Sequence, residues 1–246
     1  HLTLDSPGRK NALSKRILED LKRHLLQLDR QDARIVFLSG ASGVFSAGAD
    51  LNDISGTEAD TAYDDLTEEV CSLLAASPVP VVAWLEGPCI GAAAVLALSC
   101  DVCVAASDAV LQIPATQLGL LYRPQAIARL RRRFDHGSLT RLLVLSEAMS
   151  AEAAHAAGLV SEVVSTGALN DCAAGMAESA AQTDPSAVQL TKALLVGIET
   201  GEVEMSDWTK RYVAALSAPS RKDRLDAIKA RLSAHSKSTK PNPGET

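Results

Sequence analysis

Aromatic residues are scarce, 3% of 246, with two Trp, three Tyr and three Phe. A core of this size must then be built from closely packed Ala, Leu and Val, which favours helices and helix-covered sheets over an aromatic-rich β-sandwich. Paired cysteines are lacking too. Cys71, Cys89, Cys100, Cys103 and Cys172 are odd in number and irregularly spaced, which excludes a stapled secreted domain and points to a reducing, cytoplasmic compartment. Cys100-x-x-Cys103 has no second Cys/His pair at ligand spacing and sits among strand-like residues, so it reads as two small buried residues rather than a metal half-site or redox motif. No hydrophobic run reaches the roughly 20 residues that span a bilayer: the most apolar stretch, Val79 to Ala106, is broken by Glu86, Gly87, Pro88 and Asp101. Nor is there an excess of positive charge. Lys and Arg number 24 against 30 Asp and Glu, a net charge of −6, which argues against nucleic acid as a partner. The chain opens on His1 with no initiator methionine and no charged-then-apolar leader; nothing there supports secretion, and a first strand could stand before His1.

What is present is an ordinary globular composition, 47% hydrophobic and 22% charged, long enough for one large domain or a domain with an appendage. Asn11 to Asp29 carries Leu13, Ile17, Leu18, Leu21, Leu25 and Leu28 at helical spacing, the stripe of a helix lying on a sheet. Arg34 to Ser39 reads as a buried strand that runs into the small-residue loop Gly40 to Asp50. An acidic stretch around Gly56 to Asp65 leads into a helix ending at Ala76. Val79 to Leu85 has no polar alternation, as expected of a strand buried on both faces. Gly91 to Ser99 follows as a small-residue helix, and Val102 to Ala105 as the next strand. Strand, turn, helix, strand is a parallel crossover unit. From Ser138 the pattern is mostly helical, with Ser150 as an N-cap, Gly158 as a stop and Leu159 to Val164 as a short strand. Ser233 to Thr246 has almost no apolar residues and reads as a loose tail.

The familiar signatures of serine hydrolases, P-loop NTPases, zincins and dinucleotide enzymes are absent. Two glycine-containing turns remain, each between a strand and a helix. Such turns present N–H groups at helix starts, where an anionic oxygen is stabilised by hydrogen bonds and the helix dipole.

The residues carrying those turns, Arg9-Lys-Asn-Ala-Leu13, Phe45-Ser-Ala-Gly-Ala-Asp50 and Pro80 to Gly91, followed by Ser99-Cys-Asp101, Pro114 and Leu118-Gly119, resemble the crotonase, or enoyl-CoA hydratase/isomerase, superfamily. The match continues through Ala154 to Val164 and Pro185 to Leu195. The resemblance implies an α/β fold, a crotonase-like spiral of ββα units with a C-terminal helical trimerisation region. In residue terms it implies an acyl-CoA-binding core over 1–195, a helical region over 196–235 and a flexible tail over 236–246. It also implies an acyl-CoA thioester as ligand, assembly as a homotrimer or hexamer, and no metal or redox cofactor, coenzyme A being part of the substrate.

In that family the thioester oxygen sits between two backbone N–H groups, which by position are those of Ala49 and Ala92. Ala47, Asp50, Leu51, Gly91, Val95 and Ala115 then border the acyl group, and Asp50 also fixes its own loop by hydrogen bonds. Lys10 and Lys192 match positions near the adenine pocket. The family's hydratases place glutamates where Val95 and Ala115 stand here, and neither replacement transfers a proton. Arg123 stands where dienoyl isomerases carry an acid. Tyr122, three residues after Gly119, matches a tyrosine of methylmalonyl-CoA-type decarboxylases, and it either orients a substrate carboxylate or packs at a subunit interface. Arg129, Arg131, Arg132 and Arg133 read as the charged face of a helix, or as an attraction for CoA phosphates. Arg123 reads as a solvated arginine, or as a partner of the carboxylate or a phosphate. His24, His136 and His155 read as surface or packing residues.

Three functions follow: an acyl-CoA lyase of decarboxylase type, a non-catalytic acyl-CoA binder or shuttle, and a hydratase or isomerase using a carboxylate not yet placed, with Asp53, Glu58 and Glu86 as candidates.

Overall fold

A computed structural model describes residues 1–28 and 33–238. The strands are β1 (Leu2–Leu4), β2 (Val36–Gly40), β3 (Val81–Leu85), β4 (Pro88–Ile90), β5 (Val102–Ala106), β6 (Val110–Gln112), β7 (Met149–Ser150) and β8 (Glu162–Val164). The helices are α1 (Lys15–Leu26), α2 (Thr61–Ala76), α3 (Ala92–Ala97), α4 (Pro124–Arg133), α5 (His136–Leu139), α6 (Ala151–Ala156), α7 (Leu169–Ala181), α8 (Pro185–Thr200), α9 (Met205–Leu216) and α10 (Pro219–Ser238). β1, β2, β3, β5 and β8 form a parallel sheet in that order, and β4, β6 and β7 a second, smaller one. The chain thus feeds the large sheet, then the small sheet, then a helix, as β3, β4, α3 and again β5, β6, α4: the spiral of ββα units expected from the resemblance.

Period-two alternation explains how the sheet is covered on both sides. Val36, Leu38, Val81, Ala83 and Leu85 face the main core. The residues between them, Phe37, Val82 and Trp84, join Val104, Leu169 and Ala173 in a second cluster against α7. Two of the few aromatics are spent there, Phe37 and Trp84, whose rings meet edge to face at 5.6 Å. All five residues of β3 are buried, as its unbroken apolar run requires.

Several elements differ from their sequence reading. The first helix begins at Lys15 rather than Asn11, because Ser14 caps it by accepting from the Ile17 N–H while Lys10 and Asn11 lie at positive φ, 50° and 55°. The Asn11 side chain is committed elsewhere, donating to the carbonyls of Ala41 and Val44 at 2.8 and 2.7 Å. The expected C-terminal end of that helix, Asp29, lies outside the described residues. β1, β4, β6 and β7 are two or three residues each and too short for a periodic signal. The strand expected over Leu159 to Val164 pairs only from Glu162. Ser150 does cap α6 through the Ala153 N–H, and Gly158 ends it at φ 72°. Cys100 and Cys103 are buried free thiols.

The chain divides into two units after Thr200. α8 runs through the expected boundary at 195 without a break. The second unit consists of α9 and α10; Arg211 lies over the Trp208 ring at 4.8 Å, and Tyr212, Val213, Leu216, Leu225, Ile228 and Leu232 are exposed. α10 is helical to Ser238, and the rest of the expected tail, 239–246, lies outside the described residues. Among the described residues no helix is long and apolar enough to cross a membrane.

Candidate active site

The two glycine turns are laced together by main-chain bonds. Ser46 N–H donates to Pro88 O at 3.1 Å, and Ile90 N–H donates back to Ser46 O at 3.0 Å. Behind them, Leu13 N–H reaches Gly48 O at 2.7 Å, and Asp50 N–H reaches Leu13 O at 3.2 Å. These bonds flank Ala49 and turn its own N–H away from Leu13. Gly48 sits at φ 93°, and a Cβ there would lie 2.5 Å from Ile90 O and 3.6 Å from Ala92 N. Only glycine allows the turns to approach so closely. Ala92 N–H opens α3, so it has no intrahelical acceptor. Among the described residues neither the Ala49 nor the Ala92 amide has a main-chain acceptor, and the two belong to the turns that Gly48 lets approach.

Asp50 is buried beneath this turn. It accepts from Asn52 N–H at 3.0 Å and from Arg9 at 2.5 Å, and these bonds, the Asn52 amide foremost, hold its carboxyl below the usual range. Its geometry is that of a loop anchor. Lys10, Ala47 and Leu51 lie on the exposed outer side of the turn, with Ala47 N–H bonded to Lys10 O at 2.9 Å.

Next to Ala92 is a cavity of about 30 Å³ lined by Tyr63, Asp64, Thr67, Glu68, Cys71, Ala92, Val95, Tyr122, Arg123 and Ala126. The structure brings Ala92, Val95 and Tyr122 together there. A Cβ on Gly91 would meet the Tyr122 hydroxyl at 3.7 Å, so the phenol stands over the residue that precedes the second donor. Burial, then the negative charge of Asp64, push the phenol's pKa up, so at neutral pH it is a donor. Val95 faces the cavity; Ala115 is buried outside it. Lys192 also lies outside it, buried, with its ammonium on Asp101 at 2.7 Å and on the Val79 carbonyl at 3.1 Å.

Sequence reasoning missed the contribution of α2. Asp64, Thr67, Glu68 and Cys71 follow i, i+3, i+4, i+7 spacing and share one helix face, so that face was readable as a stripe, but its partner across the cavity was not. Arg129 is the largest correction. It is buried, not a solvated face: its guanidinium grips Glu68 at 2.5 and 2.9 Å and Ser99 at 3.1 Å. Arg133 likewise donates to the carbonyls of Leu98 and Asp101. Arg123 is tied to α2 through Asp65 and the Thr61 carbonyl. His24 and His155 each contact a backbone carbonyl, Asp20 O and Val160 O.

Of the three carboxylates proposed from sequence, none lines the cavity. Asp53 accepts from Lys15 N–H at 2.8 Å, Glu58 lies in an exposed turn, and Glu86 precedes the second turn. Asp64 lines it instead. Burial raises its pKa, against the pull of Arg123 and with the push of Asp60 and Asp65.

A family model described as enoyl-CoA hydratase/isomerase matches residues 1–229. A protein of Mycobacterium tuberculosis (strain CDC 1551 / Oshkosh) named "Probable enoyl-CoA hydratase echA6" is 36% identical over 194 residues, 79% of this chain and 77% of that one. The methylmalonyl-CoA decarboxylase of Escherichia coli (strain K12) is 31% identical over 189 residues, 75% of this chain and 72% of the relative. A solved enoyl-CoA hydratase/carnithine racemase from Magnetospirillum magneticum superposes with a TM-score of 0.87 at 26% identity, covering 93% of this chain and 88% of that one.

Proposed function

The chain belongs to the enoyl-CoA hydratase/isomerase family, and from that premise we propose that it decarboxylates a malonyl-type acyl-CoA. The observation that carries this reading is the Tyr122 hydroxyl beside Gly91, in a cavity where hydration chemistry has no glutamate at Val95.

The thioester oxygen accepts from the Ala49 and Ala92 amides. As the bond between the α carbon and the carboxylate breaks, carbon dioxide leaves and the electron pair becomes an enolate on that oxygen. Each fixed amide donor of this kind is worth about 10²–10³ in rate. Decarboxylation needs neither a water nor a base to start, so Val95 and Ala115 are no obstacle. Tyr122, neutral and donating, orients the departing carboxylate, and the small space beyond Ala92 suits a carboxylate or methyl group better than a long chain. Lys10 and Leu51, exposed around the first turn, suit the larger nucleotide end. The apolar residues exposed on α9 and α10 support assembly into a trimer or hexamer, and five unpaired thiols support a cytoplasmic setting.

Val95 and Ala115 equally favour a second reading, an acyl-CoA carrier that turns nothing over. Mass spectrometry of the full chain incubated with methylmalonyl-, crotonyl- and long-chain acyl-CoA separates the readings. Loss of carbon dioxide, cut about 10²-fold or more in Tyr122→Phe, is expected. Tight binding without product makes it a carrier, and gain of water overturns both.

A further inference from the structure

We infer that Asp64 is an acid–base residue of this site, exchanging the α proton of a bound acyl-CoA with solvent. The inference deepens the decarboxylase reading and rests on it for the position of the thioester.

The first argument is elimination within the cavity. Both Glu68 oxygens are held by Arg129. The Tyr63 hydroxyl donates to Leu13 O at 2.7 Å. Burial pushes the Cys71 thiol up to about 11, Arg123 has no acceptor, and the Tyr122 phenol stays protonated. Asp64 is the carboxylate among the lining residues that takes no hydrogen bond from any described residue. It is half-buried, so it reaches solvent on one side and the cavity on the other.

The second argument is position. The α carbon of a thioester lies about 2.4 Å from the carbonyl oxygen by ordinary bond lengths. An oxygen held by Ala92 N–H therefore keeps the α carbon within about 5 Å of that nitrogen, and Ala92 and Asp64 line one cavity. The third is chemistry. Decarboxylation leaves an enolate that must take up a proton at carbon, and a carboxyl with pKa raised by burial is better matched to carry that proton than one fully in water. In the exchange reaction the Cα–H pair becomes the enolate, stabilised by the Ala49 and Ala92 amides, and the proton moves to an Asp64 oxygen. A solvent-derived proton then returns from Asp64 to the carbon. Nothing is oxidised and no co-reactant is needed.

The test uses the full chain with propionyl-CoA in heavy water, reading α-deuterium by proton NMR, in parallel with carbon dioxide release from methylmalonyl-CoA. Exchange by the unaltered protein is expected, with a loss of about 10²-fold or more in Asp64→Asn and partial recovery in Asp64→Glu. Glu69→Gln, on the same helix and paired with Lys22, controls for charge and leaves exchange unchanged. Thermal melting of each variant establishes folding, and the Asp64→Glu recovery remains diagnostic if Asp64→Asn is poorly folded. Exchange that survives in folded Asp64→Asn but disappears in Tyr122→Phe overturns the assignment in favour of the phenol. Carbon dioxide release without exchange overturns Asp64 and leaves the decarboxylase standing; exchange without carbon dioxide release does the reverse. Binding without either reaction overturns both.

Discussion

The two halves of the site are built from different material. One is main chain: the Phe45–Asp50 turn and the Pro88–Ala92 turn, held edge to edge by amide–carbonyl bonds and by a glycine with no room for a Cβ. The other is side chain: a face of α2 with Val95, Tyr122 and Arg123 around one cavity. On the proposed mechanism the first half can accept almost any small residue at positions 49 and 92, since the chemistry there belongs to N–H groups. In the second half, a substitution at Asp64, Glu68 or Tyr122 changes which atoms can give or take a proton. The proposed function accordingly draws thioester binding from the first half and the choice of reaction from the second.

Gly48→Ala attacks the first half directly. With its Cβ placed 2.5 Å from Ile90 O, the turns must separate, and turnover should fall at least about 10²-fold together with the melting temperature. Full activity with a normal melt would mean the donors need no such close approach. Glu68→Gln probes the scaffold behind the second half. It leaves the buried Arg129 guanidinium without its counter-charge and should lower stability by about 3 kcal/mol in urea unfolding, whereas simultaneous replacement of both partners by apolar residues should recover most of that. A smaller effect is expected from Tyr122→Phe, whose hydroxyl supports no described hydrogen bond: stability should move by less than about 1 kcal/mol while carbon dioxide release collapses. A large drop in stability would show that the two halves are not separable. The smallest effect concerns Asp50. Its folded pKa lies below the ordinary 3.8, so its contribution to stability is complete above that value and drains away as pH falls through the folded pKa. Asp50→Asn should flatten the decline of the urea midpoint below pH 4, and an unaltered decline would remove Asp50 from the first half's supports.

How far the sequence could be read follows the same division. The glycines, the unbroken apolar run of β3 and the Ser150 and Gly158 boundaries are local signals, so the turns and most long elements were legible. Asn11 falls within an apolar helical stripe, and nothing nearby in the sequence reveals that its amide bonds to Ala41 and Val44, some 30 residues on. Arg129 looked like one of four basic residues on a helix surface; only packing against Glu68 and Ser99 shows it buried. Asp64 is one of several acids in its stretch, and sharing a cavity with Tyr122 is a matter of tertiary packing rather than spacing.

The lacing of the turns also dictates when the site can first exist. The two amides proposed as donors are separated by 92 − 49 = 43 residues, and the bonds that seat Ser46 come from Pro88 and Ile90. At ribosomal speeds of about 5–20 residues per second, the first turn waits roughly 2–9 s for its counterpart to be synthesised. A nascent chain ending before Ile90 lacks the partner that donates to Ser46, however well its first helix and strands have formed.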